Sequence, residues 1–362
     1  MRVSVIVAPL AAVVVTVPLL GVAAGGRHPQ PVCGTTLTRD TVLTRDLRCT
    51  GEGLTLAPGV SLDLRGHTLA GSGTGSAVRV SAQGDARVTH GTIRGWTAGV
   101  DVLEEGEWVD AGQLRVEKVT FRDNDWAVDV SGQSGTGLYD KPTTIVGSTF
   151  DENDVGVVSA WFSTVTVDRS RFTDNRIAVW SNAEATVRRS VFARNETAIT
   201  VYEGSVDVSR SAFHRNPQAI TVAGVGSARV RGSGFVGGDV AVTAGRLGTV
   251  SLLGNVFVGS GTGVLVEGGD GVVERNAFRG NDIGLHYTES DWGTTTVRDN
   301  VFRRNGDGVL SDAGGTLLEL GGNAATRSSG WGIYAPGAVD LGGNTARHNG
   351  RSPQCVGVVC AR

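Results

Sequence analysis

The sequence predicts an all-β fold, a parallel β-helix in which the chain winds through about thirteen stacked turns. Three observations predict it. Segments such as VDRSRFTDNRIAVWS, VRRSVFARNETAITV and VERNAFRGNDIGLHY repeat one frame, and apolar residues alternate in short bursts, as at Val165 and Val167. The chain also has 54 Gly and one Met, and it lacks runs of helix-forming residues long enough for helices. Each period is therefore expected to hold two or three short strands joined by tight turns.

The repeat is defined by an apolar anchor that recurs every 20 to 29 residues. Ser or Asn stands two positions before the anchor, Asn usually stands three positions after it, and Val, Ile or Leu stands seven after it. A leucine-rich repeat is the nearest alternative, but its unit needs several fixed Leu positions and room for a helix. The thirteen anchors are Leu69, Ile93, Phe121, Phe150, Phe172, Phe192, Phe213, Phe235, Phe257, Phe278, Phe302, Ala325 and Ala346.

Stacking of successive turns explains which residue types recur. The anchors should point inward and form a column of like side chains, with neighbours about 4.8 Å apart. The Asn column, which includes Asn124, Asn195 and Asn305, is expected where a turn needs a residue that tolerates the left-handed conformation. A second polar column runs from Ser148 to Asn344. Both columns are interpreted as ladders that satisfy buried turn groups.

The chain divides into four predicted segments. Residues 1–26 contain an uncharged apolar run after Arg2 and end in small residues, which is typical of a signal peptide. An uncleaved membrane anchor is the alternative, since about 20 apolar residues can span a bilayer. Residues 27–68 are expected to be an N-terminal cap, 69–349 the repeats and 350–362 a C-terminal cap. Export to the cell surface or medium is the inference in either case.

The four cysteines predict two disulfides in an exported chain. Three pairings are possible, and local pairing of Cys33 with Cys49 and of Cys355 with Cys360 is favoured because the two pairs lie at opposite ends of the repeat. An end turn has a neighbouring turn on one side only and leaves a strand edge exposed, so a disulfide is expected to stabilise it. The spacing matches no zinc pattern.

The repeat frame, the opening CGTTLTRDTVLTRDLRCTGEGLTLAPGVSLDLRGHTLAGSGTG and the ending SPQCVGVVC together resemble secreted proteins of the pectate-lyase-like superfamily, in an uncharacterised bacterial branch. The resemblance covers Cys33 to Cys360 and implies a right-handed parallel β-helix. The catalytic motifs of the superfamily are missing: there is no Asp-Pro-His as in alginate epimerases, no polygalacturonase Asp pair followed by Gly-His-Gly and no recognisable pectate-lyase calcium and arginine signature. No catalytic residue is therefore transferred from the resemblance.

Asp101 and Asp129 are the candidate catalytic pair. Each lies eight residues after its anchor, a position expected to face solvent, so the two carboxylates should be neighbours on adjacent turns. Such a pair either raises the pKa of one member or holds a cation such as calcium, although no cofactor is required. The alternative is that Asp101 and Asp129 are two ordinary solvated acids on the surface. The long turns before Phe121 and Phe150 should project as loops beside the pair.

Aromatic residues predicted along the same corner suggest a sugar-binding groove, because a ring face covers the apolar side of a pyranose. The alternative is that some of these rings, Tyr287 especially, point inward. His286 is the one histidine expected to face outward beside them, and it is a third catalytic candidate with Asp101 and Asp129. The candidate substrate-binding residues are Trp108, Tyr139, Trp161, Trp180, Tyr202 and Trp292.

Two functions are compatible with these residues. One is an exported, non-catalytic β-helix that binds glycans or serves as a surface scaffold, which is favoured because no catalytic constellation is evident. The other is a lyase, hydrolase or epimerase that acts on an acidic polysaccharide at Asp101 and Asp129. A formal net charge of −3, and the lack of a basic stripe with interleaved aromatics, argue against nucleic acid as a partner. No membrane contact is expected beyond the signal segment, and oligomeric state stays open.

Overall fold

The computed structural model describes residues 30–103, 112–131, 141–159, 163–288, 293–312 and 317–361. In these ranges the chain forms 42 strands, numbered β1 to β42 in chain order, and no helix. The strands belong to one compact unit within Pro31–Arg362. The predicted all-β solenoid is confirmed.

Each turn of the solenoid contributes strands to three files, and every pairing between turns is parallel. The first file is a fifteen-stranded sheet made of β1 Thr35–Leu37, β4 Leu54–Leu56, β7 Ser76–Val80, β9 Ala98–Val102, β11 Trp126–Val130, β14 Val155–Ser159, β17 Ile177–Ser181, β20 Thr197–Val201, β23 Gln218–Val222, β26 Val240–Ala244, β29 Thr262–Val266, β32 Ile283–Tyr287, β35 Asp307–Ser311, β38 Ile333–Tyr334 and β41 Cys355–Val356.

The second file, called here the anchor file, carries the inward anchors on short strands. Its members are β3 Leu47–Arg48, β6 Thr68–Ala70, β13 Thr149–Asp151, β16 Arg171–Thr173, β19 Val191–Ala193, β22 Ala212–His214, β25 Gly234–Val236, β28 Val256–Val258, β31 Ala277–Arg279, β34 Val301–Arg303, β37 Ala324–Thr326, β40 Asn344–Arg347 and β42 Cys360–Ala361.

The third file precedes the anchor file on each turn, and its two longest strands, β8 and β10, run on into the anchor file. Its members are β2 Thr41–Val42, β5 Ser61–Asp63, β8 Ala86–Arg94, β10 Leu114–Arg122, β12 Thr143–Val146, β15 Thr164–Asp168, β18 Glu184–Arg188, β21 Ser205–Ser209, β24 Ser227–Arg231, β27 Thr249–Leu253, β30 Asp270–Glu274, β33 Thr295–Arg298, β36 Leu318–Gly321 and β39 Val339–Gly342.

The anchors form one internal column, as the repeat predicts. Nine phenylalanine rings stack from Phe121 to Phe302, with neighbouring centroids 4.4 to 5.0 Å apart and interplanar angles between 4° and 13°. All nine side chains are buried. Burial of one such ring contributes about 1.5 to 3 kcal/mol, so this column is a main source of stability. Leu69 and Ile93 continue it at one end and Ala325 and Ala346 at the other.

The polar columns are hydrogen-bonded ladders, but the left-handed residue is not the asparagine. The Asn195 amide donates to the Asn216 side chain at 3.0 Å and to the Phe172 carbonyl at 3.1 Å. The residue just before each ladder position has positive φ instead, for example +56° at Arg194. The buried asparagine uses its amide to satisfy backbone groups of the turn, while its exposed neighbour makes the bend.

Both disulfides form as predicted. Cys33 is bonded to Cys49, with 5.7 Å between Cα atoms, and Cys355 is bonded to Cys360, with 6.1 Å between Cα atoms. They lie near the first and last strands of the fifteen-stranded sheet, each of which has a neighbouring strand on one side only.

The predicted N-terminal cap, residues 27–68, contains β1 to β5, which extend the same files. The predicted signal segment, residues 1–26, lies outside the described residues. No helix among the described residues is long and apolar enough to cross a membrane.

Candidate functional site

A column of outward side chains runs along the centre of the fifteen-stranded sheet, as predicted from the position eight residues after each anchor. The strand register places Arg79 beside Asp101, Asp101 beside Asp129, and continues without a gap to Val356. Strand neighbours in this direction are about 4.8 Å apart, so the column is a continuous strip. Between Asp129 and Val356 its members are Val158, Trp180, Thr200, Thr221, Thr243, Leu265, His286, Leu310 and Tyr334.

Asp101 and Asp129 are neighbours, but their surroundings differ. Asp101 retains 26% of its side-chain exposure, its Oδ2 accepts a 2.9 Å hydrogen bond from Ser76 Oγ, and Arg79 Nε lies 4.0 Å from that oxygen. Asp129 is only 7% exposed, so the expectation that it faces solvent is wrong. Its Oδ1 accepts hydrogen bonds from the Ser131 backbone N–H at 2.8 Å and from Ser131 Oγ at 2.6 Å. The side chain therefore caps its own strand end and does not project into solvent.

The pKa of Asp101 is raised. Burial is the largest cause, and the nearby charge of Asp129 adds to it, while the Ser76 hydrogen bond and the Arg79 charge oppose the rise. Asp101 is thus the carboxyl group of this pair that takes up a proton more readily than a solvated aspartate. A neutral acid beside a second carboxyl group can donate a hydrogen bond to a hydroxyl or an ether oxygen of a ligand.

Two tryptophans of the fifteen-stranded sheet are partly exposed. Trp180, a predicted candidate, is 36% exposed and stands in the outward column on β17. Trp126 is 37% exposed and begins β11, three residues before Asp129. Trp126 was not predicted, because it stands five residues after its anchor and the repeat marks only the position eight after the anchor as solvent-facing. Tyr202, a predicted candidate, is exposed just beyond the end of β20.

The remaining candidates fall in two groups. Trp108, Tyr139, Trp161 and Trp292 lie outside the described residues. His286 lies in the outward column, with Nε2 2.7 Å from Asp312 Oδ2. It is seven strands from Asp129 in the sheet order, or about 34 Å at the usual strand spacing, so the structure does not bring His286 to the aspartates. Tyr287 is buried, as the alternative interpretation expected.

The described residues offer no group of three or more His, Cys, Asp or Glu side chains that could hold a metal ion. Near Asp101 the described charged neighbours are Asp129, Arg79 and Glu52. The guanidinium of Arg79 occupies the side of Asp101 where a cation would compete with it. The chemistry of this strip is therefore that of hydrogen-bonding acids flanked by exposed indole rings.

Comparison with known proteins identifies the family. The model of the right handed beta helix region family matches residues 76–235 and 177–349. The chain belongs to this family, and the solenoid is a right-handed parallel β-helix. No curated protein matches the chain.

Three solved structures are similar in fold. They are a mutant of the periplasmic alginate epimerase AlgG (12% identity, 78% of this chain and 76% of that chain, TM-score 0.49), tailspike protein 3 of bacteriophage CBA120 (13% identity, 88% and 50%, TM-score 0.37) and the family 28 exopolygalacturonase of Yersinia enterocolitica (8% identity, 84% and 74%, TM-score 0.36). The chain thus spans about half the length of the tailspike chain.

Proposed function

We propose that this protein is an exported, non-catalytic β-helix that binds glycans on the outer face of its fifteen-stranded sheet. The observation that carries the proposal is the exposure of Trp126 and Trp180 on the sheet that also holds Asp101 and Asp129. Exposed indole rings offer flat apolar surface on which a ligand can pack. The proposed ligand is a polysaccharide.

The residue types suit a sugar ring. An indole face packs on the apolar side of a pyranose, and carboxyl groups exchange hydrogen bonds with its hydroxyls. Trp126 lies on β11 and Trp180 on β17, two strands apart in the sheet, which corresponds to about 10 Å. Asp101 is partly exposed and lies on β9, the strand next to β11, so a hydrogen-bonding carboxyl group lies one strand away from Trp126.

Binding without catalysis is favoured by the state of the aspartates. Asp129 is shielded from solvent and its Oδ1 is already engaged by Ser131, so it is poorly placed to attack a substrate or activate water. His286, the third catalytic candidate, is about 34 Å away along the sheet. Export is supported by the two disulfides, which persist in oxidising compartments, and by the apolar run before residue 27.

A glycan array followed by titration of the best ligand tests the proposal. Each of Trp126→Ala and Trp180→Ala should weaken binding about tenfold, since one aromatic contact contributes about 0.5 to 1.5 kcal/mol beyond its buried area. Thr221→Ala and Thr243→Ala, in the same outward column further along, are the matched controls and should bind like the unaltered protein. A purely structural scaffold would bind no glycan on the array, and that result would reject the proposal.

A second candidate, hydrolysis of a polysaccharide, is favoured by one observation. Asp101, with its raised pKa, lies on the strand next to Asp129, at about the separation that retaining glycosidases use between acid and nucleophile. Incubation with neutral and uronate polysaccharides should then release reducing ends, and Asp101→Asn should abolish their release. If no polymer is cleaved while glycans still bind, the non-catalytic function stands.

A further inference from the structure

Two arginines lie side by side on the outer surface of the anchor file. Arg279 on β31 and Arg303 on β34 are register partners, and Arg304 follows Arg303 directly. None of the three has an ion pair or a guanidinium hydrogen bond within the described residues. Like charges directly opposite each other on neighbouring strands destabilise a sheet. Such a cluster of uncompensated cations is expected where an anion is bound.

The backbone conformation of this cluster adds a second cost. Arg304 and Arg327, on successive turns, adopt the left-handed conformation with φ of +56° and +60°. Glycine fills the same position on earlier turns, as Gly259 and Gly280 do, and it adopts this conformation without strain. A non-glycine residue there costs about 1 kcal/mol. Arginine at these two turns therefore carries a backbone cost that glycine would avoid.

The cluster belongs to a longer basic surface, called here the arginine face. It comprises the positions one before, one after and two after the anchor, on the eight turns from Phe192 to Ala346. These positions hold seven Arg, two His and no Asp or Glu, whereas the whole chain has a net charge of −3. Arg194 is paired with an acid, Asp174, at 2.5 to 2.8 Å. The basic members are Arg194, His214, Arg215, Arg279, Arg303, Arg304, Arg327, Arg347 and His348.

Two open grooves lie on this surface, each with a volume of about 440 Å³. Arg279, Gly280, Arg303 and Arg304 line one of them. The other is lined by basic residues including Arg194, His214 and Arg215, together with small apolar side chains. Their central strands, β22 and β31, are three turns apart, or about 14 Å. Both grooves lie on one line parallel to the solenoid axis.

We propose that the arginine face binds an extended glycan that carries anionic groups along its length. A guanidinium forms paired hydrogen bonds with carboxylate, sulfate or phosphate oxygens. Two grooves on one axis suit a polymer better than a single small anion. The uncharged positions of the face are Val, Ala, Gly and Thr, so it lacks the aromatic side chains on which single-stranded nucleic acids stack. This proposal does not depend on the tryptophans of the fifteen-stranded sheet.

The test uses a variant built from residues that the solenoid already places in these columns. Thr326 occupies the column of Arg279 and Arg303, and Gly280 that of Arg304. The triple variant R279T/R303T/R304G should therefore fold, and its new glycine should stabilise the turn. The matched control R87T/R229S/R246S removes the same charge from exposed positions outside the arginine face.

Heparin is the probe, with neutral dextran and single-stranded DNA as comparisons, and binding is measured by calorimetry at low and moderate salt. The intact protein should bind heparin and not dextran, with affinity falling as salt rises. The triple variant should lose about tenfold or more in affinity, as expected for charge-assisted hydrogen bonds. The control variant and W126A/W180A should bind heparin with the affinity of the intact protein. That result would separate this surface from the proposed tryptophan site.

Three results would overturn the proposal. The first is failure of the intact protein to bind heparin. The second is an equal loss of affinity in the charge-matched control, which would indicate a general effect of net charge. The third is equally tight binding of single-stranded DNA, which would remove the preference for a glycan.

Discussion

Asp101 lies directly beside Asp129 on adjacent parallel strands, and the pKa of Asp101 is raised. Burial is the main cause, and the neighbouring carboxylate adds to it. The two side chains differ because Ser131 provides hydrogen bonds to Asp129, while Asp101 receives one from Ser76. Neighbouring turns of a regular solenoid thus give chemically different environments to residues that the repeat treats as equivalent.

The first prediction concerns this coupling. Replacing Asp129 by Asn should lower the pKa of Asp101, because it removes a negative charge that favours the protonated form. The pKa should remain above the ordinary value of 3.8 when burial dominates. Carboxyl-carbon chemical shifts followed through an acid titration measure it. Asp154→Asn, on a later turn and paired with Arg176, is the control and should leave Asp101 unchanged. An unchanged pKa in Asp129→Asn would contradict the coupling.

The second prediction is that Asp101→Asn stabilises the protein at neutral pH. Because the folded-state pKa of Asp101 is raised, its contribution favours folding below the ordinary value of 3.8 and is lost as pH rises through the folded pKa. At pH 7 the charged form is disfavoured by burial, and asparagine removes that charge. Urea unfolding should show a higher free energy of unfolding for the variant at pH 7, with the advantage shrinking toward about pH 4. A variant less stable than the parent at pH 7 would contradict this.

The third prediction concerns the phenylalanine column. Phe213 stacks on Phe192 and Phe235 with centroids 4.9 and 4.6 Å away. Phe213→Ala should lower the free energy of unfolding by about 3 to 5 kcal/mol, because it removes buried area and leaves a cavity between two rings. Thr221→Ala, which changes an outward residue on the same turn, should cost less than about 0.5 kcal/mol. Urea or thermal unfolding measures both, and equal losses would contradict an ordered internal column.

The regular part of this fold could be predicted from sequence because each column repeats one chemical type. The phenylalanine anchors, the outward column and both disulfides follow from spacing. The local departures could not be predicted in the same way. Asp129 is buried because its side chain turns back to Ser131, a rotamer that spacing does not determine. Trp126 stands five residues after its anchor, a position that holds residues as different as Val155, Thr197 and Asp307 on other turns.

The distribution of surface charge on the arginine face also could not be predicted from residue spacing alone. Its basic residues occur singly or in adjacent pairs that are twenty or more positions apart in the chain, so the linear sequence shows no basic stripe. The face emerges only when strand pairing brings Arg279 beside Arg303 and the left-handed turns direct Arg304 and Arg327 outward. The net charge of −3 gives no sign of this separation of basic from acidic residues, because the acidic residues lie in other columns.

The fourth prediction concerns Asp168, a buried carboxylate held by arginines. Burial alone would raise its pKa, but Arg189 donates two hydrogen bonds, at 2.8 Å from Nε and 2.7 Å from Nη2, and with the charges of Arg188 and Arg169 it lowers the pKa. A lowered folded-state pKa means that this stabilisation is present above the ordinary value of 3.8 and is lost as pH falls through the folded pKa.

Asp168→Asn should therefore lower the free energy of unfolding at pH 7 by about 2 kcal/mol, the range for hydrogen bonds to charged groups. Asp207→Asn is the matched control, since Asp207 also receives two hydrogen bonds from one arginine, Arg231, but is more exposed. The control should cost less than about 1 kcal/mol. Urea unfolding of both variants compares them, and a loss in Asp168→Asn no larger than in Asp207→Asn would show that burial does not strengthen this arginine cluster.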